Sequence, residues 1–186
     1  MRNIPTSLYI SHMPRSTKED PERGNAKARL LEAARDVVRQ QGYSGTTVDE
    51  PCEAAGVTKG AFFHHCKNSE ALGVAAAEFW ADTTSAMLEA APYHELDDPF
   101  ERILAHLDFH RSLIEGDLAE WTCLVGTMTQ EIYQAPPAIR NACADSIFGH
   151  AETLEPDIQA ALESNDHLRR YIELLFRPPT AKETLS

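Results

Sequence analysis

Long hydrophobic runs are missing from this sequence. The longest near-apolar stretch is Val74–Ala77, whereas a membrane-spanning helix needs about 20 such residues. A secretion signal is missing as well. Leu8-Tyr9-Ile10 is too short for its apolar segment, and Pro14, Arg15, Lys18 and Glu19 follow it. The expectation is a cytoplasmic protein with no membrane partner. Cysteine is sparse: Cys52, Cys66, Cys123 and Cys143 are scattered with no CxxC spacing, which argues against a zinc knuckle or a disulfide framework. No alternating apolar–polar run marks a strand, and no nucleophile or cofactor motif is present, so no cofactor is expected.

Positive charge is scarce overall. The 186 residues carry a net charge of −12, at first sight unsuited to a polyanionic partner. The scarcity is uneven. Residues 1–67 hold ten Lys/Arg against eight Asp/Glu, and residues 68–186 hold seven against twenty-one. The first third is therefore at +2 and the remainder at −14, an asymmetry that permits nucleic-acid binding at the N-terminal end only.

What is present is helical periodicity. Residues 1–23 contain Pro5, Pro14 and Pro21 among polar residues and read as an arm. From Asn25, Leu30, Ala33, Ala34, Val37 and Val38 recur at helical spacing until Gln41-Gly42. Thr47 and Glu50 have capping-box spacing ahead of a short helix, Val48 to Ala55, that Gly56 ends. Thr58 can cap a second short helix, Lys59 to His65. Two short helices around a glycine turn form a helix-turn-helix. Long helices are then expected over Ser69–Ala91, Pro99–Ile114 (capped by Asp98), Leu118–Tyr133 and from Pro137 to an interruption at Pro156. A last helix, Asp166–Phe176, precedes a tail at 177–186. The fold class is all-α: a three-helix head at 24–67 and a helical bundle at 68–176.

Gly42-Tyr43, Thr46-Thr47-Val48, Ala54-Ala55-Gly56-Val57-Thr58-Lys59-Gly60, His65, Lys67 and Glu70-Ala71-Leu72 together resemble the DNA-binding domain of the tetracycline-repressor (TetR) family. The resemblance covers about a third of the chain, counting the first helix. It implies that Thr47, Thr58, Lys59, Phe63, His64, His65 and Lys67 face DNA. The chemistry of these residues agrees. Thr58, Lys59 and Gly60 open the helix that enters the major groove in such motifs, and Gly60 lets backbone approach closely. Lys59 suits a phosphate or a guanine edge, Phe63 a thymine methyl or sugar, and His64, His65 and Lys67 suit phosphate. Phe62 reads as core. Taken singly, each cap is an ordinary helix start and each lysine a solvated charge.

The chain also departs from the family pattern. Pro51 stands where a bulky aliphatic is usual, Cys66 in place of a phenylalanine and His64 in place of a tyrosine. With Thr47 as cap, Pro51 is fourth in the helix, where its missing N–H forfeits the first backbone bond and loosens the start.

In the body, Phe79, Trp80, His106, Phe109, His110, Trp121 and Met128, with Tyr133, are candidates to line an effector cavity between helices. The same spacing serves equally for plain core. Cys123 lacks the basic sequence neighbours of a reactive thiol. His64-His65-Cys66 cannot converge on an ion, because adjacent helical residues diverge by about 100°. His106 and His110 share a face at i, i+4, but the sequence offers no obvious third ligand, so no metal site is expected.

The resulting expectation is a repressor that binds a palindromic DNA operator as a homodimer and is released by a small-molecule effector. Two alternatives stand beside it. One is a metal-assisted hydrolase built on His106, His110 and Glu120. The other is a degenerate family member, its head disabled by Pro51 and Cys66, that binds only a small molecule or a protein partner. The family's usual pair of long C-terminal dimerisation helices is only half visible, in the segment after Pro137.

Overall fold

The computed structural model describes residues 23–176. The expected arm, apart from Arg23, and the tail at 177–186 lie outside the described residues. Among the described residues there are nine α-helices and no strand. They are α1 (Arg23–Gln41), α2 (Asp49–Ala55), α3 (Lys59–His65), α4 (Ser69–Glu89), α5 (Pro99–Ser112), α6 (Leu118–Trp121), α7 (Leu124–Glu131), α8 (Pro137–Ser164) and α9 (Asp166–Leu175). The all-α expectation is met.

Local chemistry sets most boundaries. Gly42 ends α1 at φ +84°, and Gly56 ends α2 at φ +62°, a region where a side chain would be strained. Around Gly56, the Val57 and Gly56 N–H groups donate to the Cys52 and Glu53 carbonyls at 2.9 and 3.1 Å, closing the tight turn into α3. Thr58 Oγ1 accepts from Ala61 N at 3.2 Å, Asn68 Oδ1 from Ala71 N at 2.8 Å, and Asp98 Oδ1 from Phe100 N and Glu101 N at 2.8 and 3.0 Å. Each satisfies helix-start donors that would otherwise lack partners.

One core runs through the chain. Leu30, Leu31, Ala34 and Val38 of α1 pack with Phe62 of α3, Leu72, Ala76 and Ala77 of α4, Leu124, Val125 and Met128 of α7 and Ile139 and Cys143 of α8. Each large side chain buried there contributes about 1.5–3 kcal/mol. Helix α4 packs along α8, which also carries α5 and α7, and α1 lies against α2, α4, α6 and α7. Gly73 permits the closest approach: a Cβ there would meet Ile139 Cδ1 at 2.6 Å and Tyr43 Cε2 at 2.8 Å.

The structure corrects several expectations. The single helix expected over Leu118–Tyr133 is two, α6 and α7, because Cys123 takes an extended conformation and its Sγ accepts from Gly126 N at 3.4 Å as a new N-cap. Pro92 opens a 3-10 turn, Pro92–Glu95, after α4. Pro156 does not interrupt α8, which runs 28 residues through it. Contacts on both sides of the proline hold the helix: Ile139 and Cys143 are buried before it and Ala161 after it. Asp157 is fixed to Arg102 of α5 at 2.6 and 2.9 Å. Helix α5 leaves apolar surface uncovered, with Leu104 and Leu107 exposed, as is Ile114 just beyond its end.

Candidate functional site

The helix-turn-helix residues lie close to the expected elements, with one change at the start of α2. Thr47 is not the cap. The first backbone bond runs from Cys52 N to Val48 O at 3.4 Å, so Val48 is the N-cap and Pro51 is the third helical residue. The N–H at that position has no intrahelical acceptor in any helix, so proline forfeits nothing there. The expected loosening was argued from Thr47 as the cap, and the helix instead starts from Val48. The Pro51 ring is also among the most fully buried side chains of the protein, so it replaces the aliphatic plug rather than removing it. Glu50 still caps: its Oε2 accepts from Thr47 N at 2.7 Å and Thr47 Oγ1 at 2.9 Å, and its Oε1 from Gln41 Nε2 at 2.8 Å. The Gln41 bond, then those from Thr47, holds this carboxyl below its ordinary range.

Seven of the eight expected contact residues are exposed: Thr47, Thr58, Lys59, Gly60, Phe63, His64 and Lys67. His65 is half-buried, and burial followed by its neighbours His64 and Lys27 lowers its pKa. Phe62 is fully buried and holds α3 to the core, while Phe63, about 100° further round the helix, is 60% exposed. An aromatic so open to water at the exit of a short helix is an unusual use of apolar surface unless something covers it. Lys59 is not a free cation. Its Nζ lies 2.9 Å from Asp49 Oδ1 across the turn, and that carboxylate raises its pKa. Both partners are exposed, so the pair is weak and yields to a stronger anion. Asp49 as the occupant of Lys59 is the feature that sequence reasoning missed; nothing in the spacing of residues 49 and 59 announces it.

The head is fastened to the body at defined points. Arg39 of α1 is buried; its Nε donates to the Thr122 carbonyl at 2.6 Å, and its guanidinium lies 5.2 Å from the Trp80 ring centre. Burial lowers its pKa. Ser44 N donates to Glu131 Oε2 at 2.6 Å, and the same carboxylate occupies the space a Cβ at Gly42 would need. Tyr43 Oη donates to the Ser69 carbonyl at 3.3 Å.

The residues expected around an effector are not brought to one place. Met128 is fully buried in the common core, with Phe79 and Trp80 packed against that core. Trp121 is 41% and Tyr133 70% exposed. His106, Phe109 and His110 form a separate group with Tyr93. Beside it is a cavity of about 70 Å³ lined by Tyr93, His94, Arg102, His106, His150 and Asp157, among others. Glu120 does not join the histidines; its Oε2 accepts from Asp117 N at 3.1 Å. The acid/histidine set of the hydrolase alternative is therefore not assembled.

Comparison with known proteins bears on the same segment. Residues 30–76 match the family model described as bacterial regulatory proteins, tetR family. The chain is 30% identical over 148 residues to the transcriptional regulator AcuR of Cereibacter sphaeroides, covering 73% of this chain and 66% of that protein. It is 28% identical over 141 residues to the HTH-type transcriptional repressor AcnR of Corynebacterium diphtheriae, covering 76% and 65%. The chain thus spans just under two thirds of the length of these curated relatives. The regulatory protein TetR from Rhodobacter sphaeroides superposes with a TM-score of 0.62 at 28% identity, over 73% of each chain.

Proposed function

Because the chain belongs to the TetR family of bacterial regulatory proteins, we propose that it is a transcriptional repressor that binds a palindromic operator as a homodimer and is released by a small-molecule effector. In this reading residues 24–67 are the DNA-binding head and residues 68–176 the effector-binding and dimerising body. The observation that carries it is the exposed set on and around α3: Thr58 and Lys59 at its start, Phe63 and His64 further along, and Lys67 just beyond its end. The names of the relatives, a regulator and a repressor, support both the activity and its sign.

The start of α3 enters the major groove, where Lys59 exchanges Asp49 for a phosphate or a guanine edge and Thr58 donates to either. Gly60 presents no side chain to the groove, and nothing crowds a Cβ there except Thr58 Oγ1 at 3.8 Å. Phe63 covers its exposed ring on sugar or thymine methyl. Thr47, His64, His65 and Lys67 hold the backbone, which positions without specifying. Exposed Ile147, Phe148 and Ile158 of α8 and Tyr171 and Leu175 of α9 supply the apolar surface for pairing with a second copy. Two heads then meet half-sites about one helical turn, 34–36 Å, apart. An effector that displaces α6 or α7 pulls on Arg39 and Ser44 and changes the head separation, a coupling typically of about 1–3 kcal/mol.

The test is a salt titration of the protein against a fluorescent duplex from the DNA flanking its own gene, with excess nonspecific competitor. Saturable, competitor-resistant binding that Lys59→Ala abolishes is expected. Equal, weak binding to every duplex by the folded protein refutes the proposal.

A further inference from the structure

The sequence offers two histidines on one face of α5 and no third ligand. The fold supplies the third. Helix α8 packs along α5 and brings His150 to His106 and His110, so that one ring nitrogen from each lies within 4.8 Å of the other two. The ring centres are 4.3 Å apart for His106–His110, 5.5 Å for His106–His150 and 5.7 Å for His110–His150. Nothing in the spacing of residues 110 and 150 announces this meeting.

Satisfied core histidines are the plain alternative, and one atom speaks against it. His106 is 6% exposed, and its Nδ1 is buried without a hydrogen-bond partner. Buried polar nitrogens nearly always have a partner, and an exception calls for an explanation such as an ion. His110 is arranged differently. Its Nδ1 lies 3.1 Å from the His106 carbonyl, which can only accept, so the proton resides on Nδ1 and Nε2 keeps its lone pair. Metal-bound histidines are oriented in this way, one ring nitrogen on a carbonyl and the other on the ion. Burial, then the neighbouring rings, pushes His106 down to about 4 and lowers His150 as well. Asp157, the α8 carboxylate that lines the same cavity, is already committed to Arg102.

We propose that His106, His110 and His150 form a binding site for a divalent transition-metal ion of the zinc class, pinning α5 to α8. The donor set selects the ion. Three imidazoles without a carboxylate or thiolate suit zinc, cobalt, nickel or copper and not magnesium or calcium. Tetrahedral zinc at about 2.0–2.1 Å from each nitrogen places its ligands roughly 3.3 Å apart. The ligand nitrogens, within 4.8 Å of one another, have to close by up to about 1.5 Å to reach that spacing around the ion. Three protein ligands leave a fourth position for water or a bound molecule. The 70 Å³ cavity that His106 and His150 help to line is where such a molecule would sit. The site lies wholly in the body and does not depend on the reading of the head.

The experiment is equilibrium binding of Zn²⁺ and Co²⁺ to the full-length, chelator-stripped protein, with Mg²⁺ as control. One ion per chain, an intense visible Co²⁺ spectrum of tetrahedral type and a raised melting midpoint are expected. His150→Gln and His110→Gln should each weaken binding by more than the roughly 10–100-fold that losing an outer-shell partner costs. His167→Gln, on α9, should leave it unchanged. Substoichiometric binding, an octahedral spectrum, or affinity that survives both His110→Gln and His150→Gln overturns the proposal. If either of those two variants fails to fold, the stoichiometry and Co²⁺ spectrum of the wild-type protein decide.

Discussion

Replacing Pro51 by alanine sets two lines of reasoning against each other with opposite signs. Were the proline breaking a backbone bond inside α2, alanine would restore it and stabilise the protein by about 3 kcal/mol. Its observed position, third in the helix with a buried ring, predicts a loss instead. Two buried ring methylenes disappear, at about 0.8 kcal/mol each, and the unfolded chain regains freedom worth about 0.4–1 kcal/mol. Together these give a destabilisation of roughly 2–2.5 kcal/mol. Because one core runs from Leu30 and Phe62 to Met128 and Ile139, the change should appear in the main transition. At about 2–4 °C per kcal/mol for a chain of this size, the melting midpoint should fall by roughly 4–10 °C. Differential scanning calorimetry of the full-length pair at neutral pH measures it. An unchanged or higher midpoint for Pro51→Ala would refute this account of the start of α2 and revive the suspicion that the head is impaired.

Other consequences are equally open to measurement. Asp49→Asn frees Lys59 and removes an acid from the proposed DNA face, so duplex affinity should rise several-fold at low salt, with a steeper salt slope in a titration; weaker binding would show that Asp49 positions Lys59 instead of occupying it. Gly73→Ala forces Tyr43 or Ile139 to move, and the overpacking cost of about 1–3 kcal/mol should outweigh the gain of about 1 kcal/mol in helix propensity; urea unfolding reads the difference. His106 titrates near 4 when folded and near 6.5 in its ordinary state. The unfolded chain therefore binds the extra proton first, and metal-free protein should lose stability as pH falls from about 6.5 to about 4, with no further loss from this group below. His106→Leu should flatten that part of the stability–pH curve.

The head was legible because its signals are local. Thr58, Gly56 and Gly42 act within a turn of where they stand, and the α3 boundaries follow from them. The start of α2 was misjudged by one residue, since Thr47 and Val48 differ as caps only through where the Glu50 carboxylate goes. Long-range effects account for the rest. Periodicity runs straight through Cys123, where α6 gives way to α7, and Pro156 reads as a stop although contacts from α5 carry the helix past it. The meeting of His150 with His106 and His110 depends on how α5 and α8 pack, a relation that no spacing along the chain records. The proposed effector residues could not be sorted into core and surface for the same reason: Trp121 and Met128, seven residues apart, read as one helical stripe, and only the break at Cys123 and the packing around it leave one exposed and the other buried.

The links between head and body have a consequence for how such a protein can diverge. Arg39 grips the carbonyl of residue 122, and Glu131 receives the N–H of residue 44. Each link joins one side chain to one backbone group. The links ask the chain only for a carbonyl at 122 and an N–H at 44, backbone groups that almost any residue supplies, so their specificity rests on the side chains at 39 and 131. A body can then be rewritten for a new signal while the same two residues keep it geared to the head.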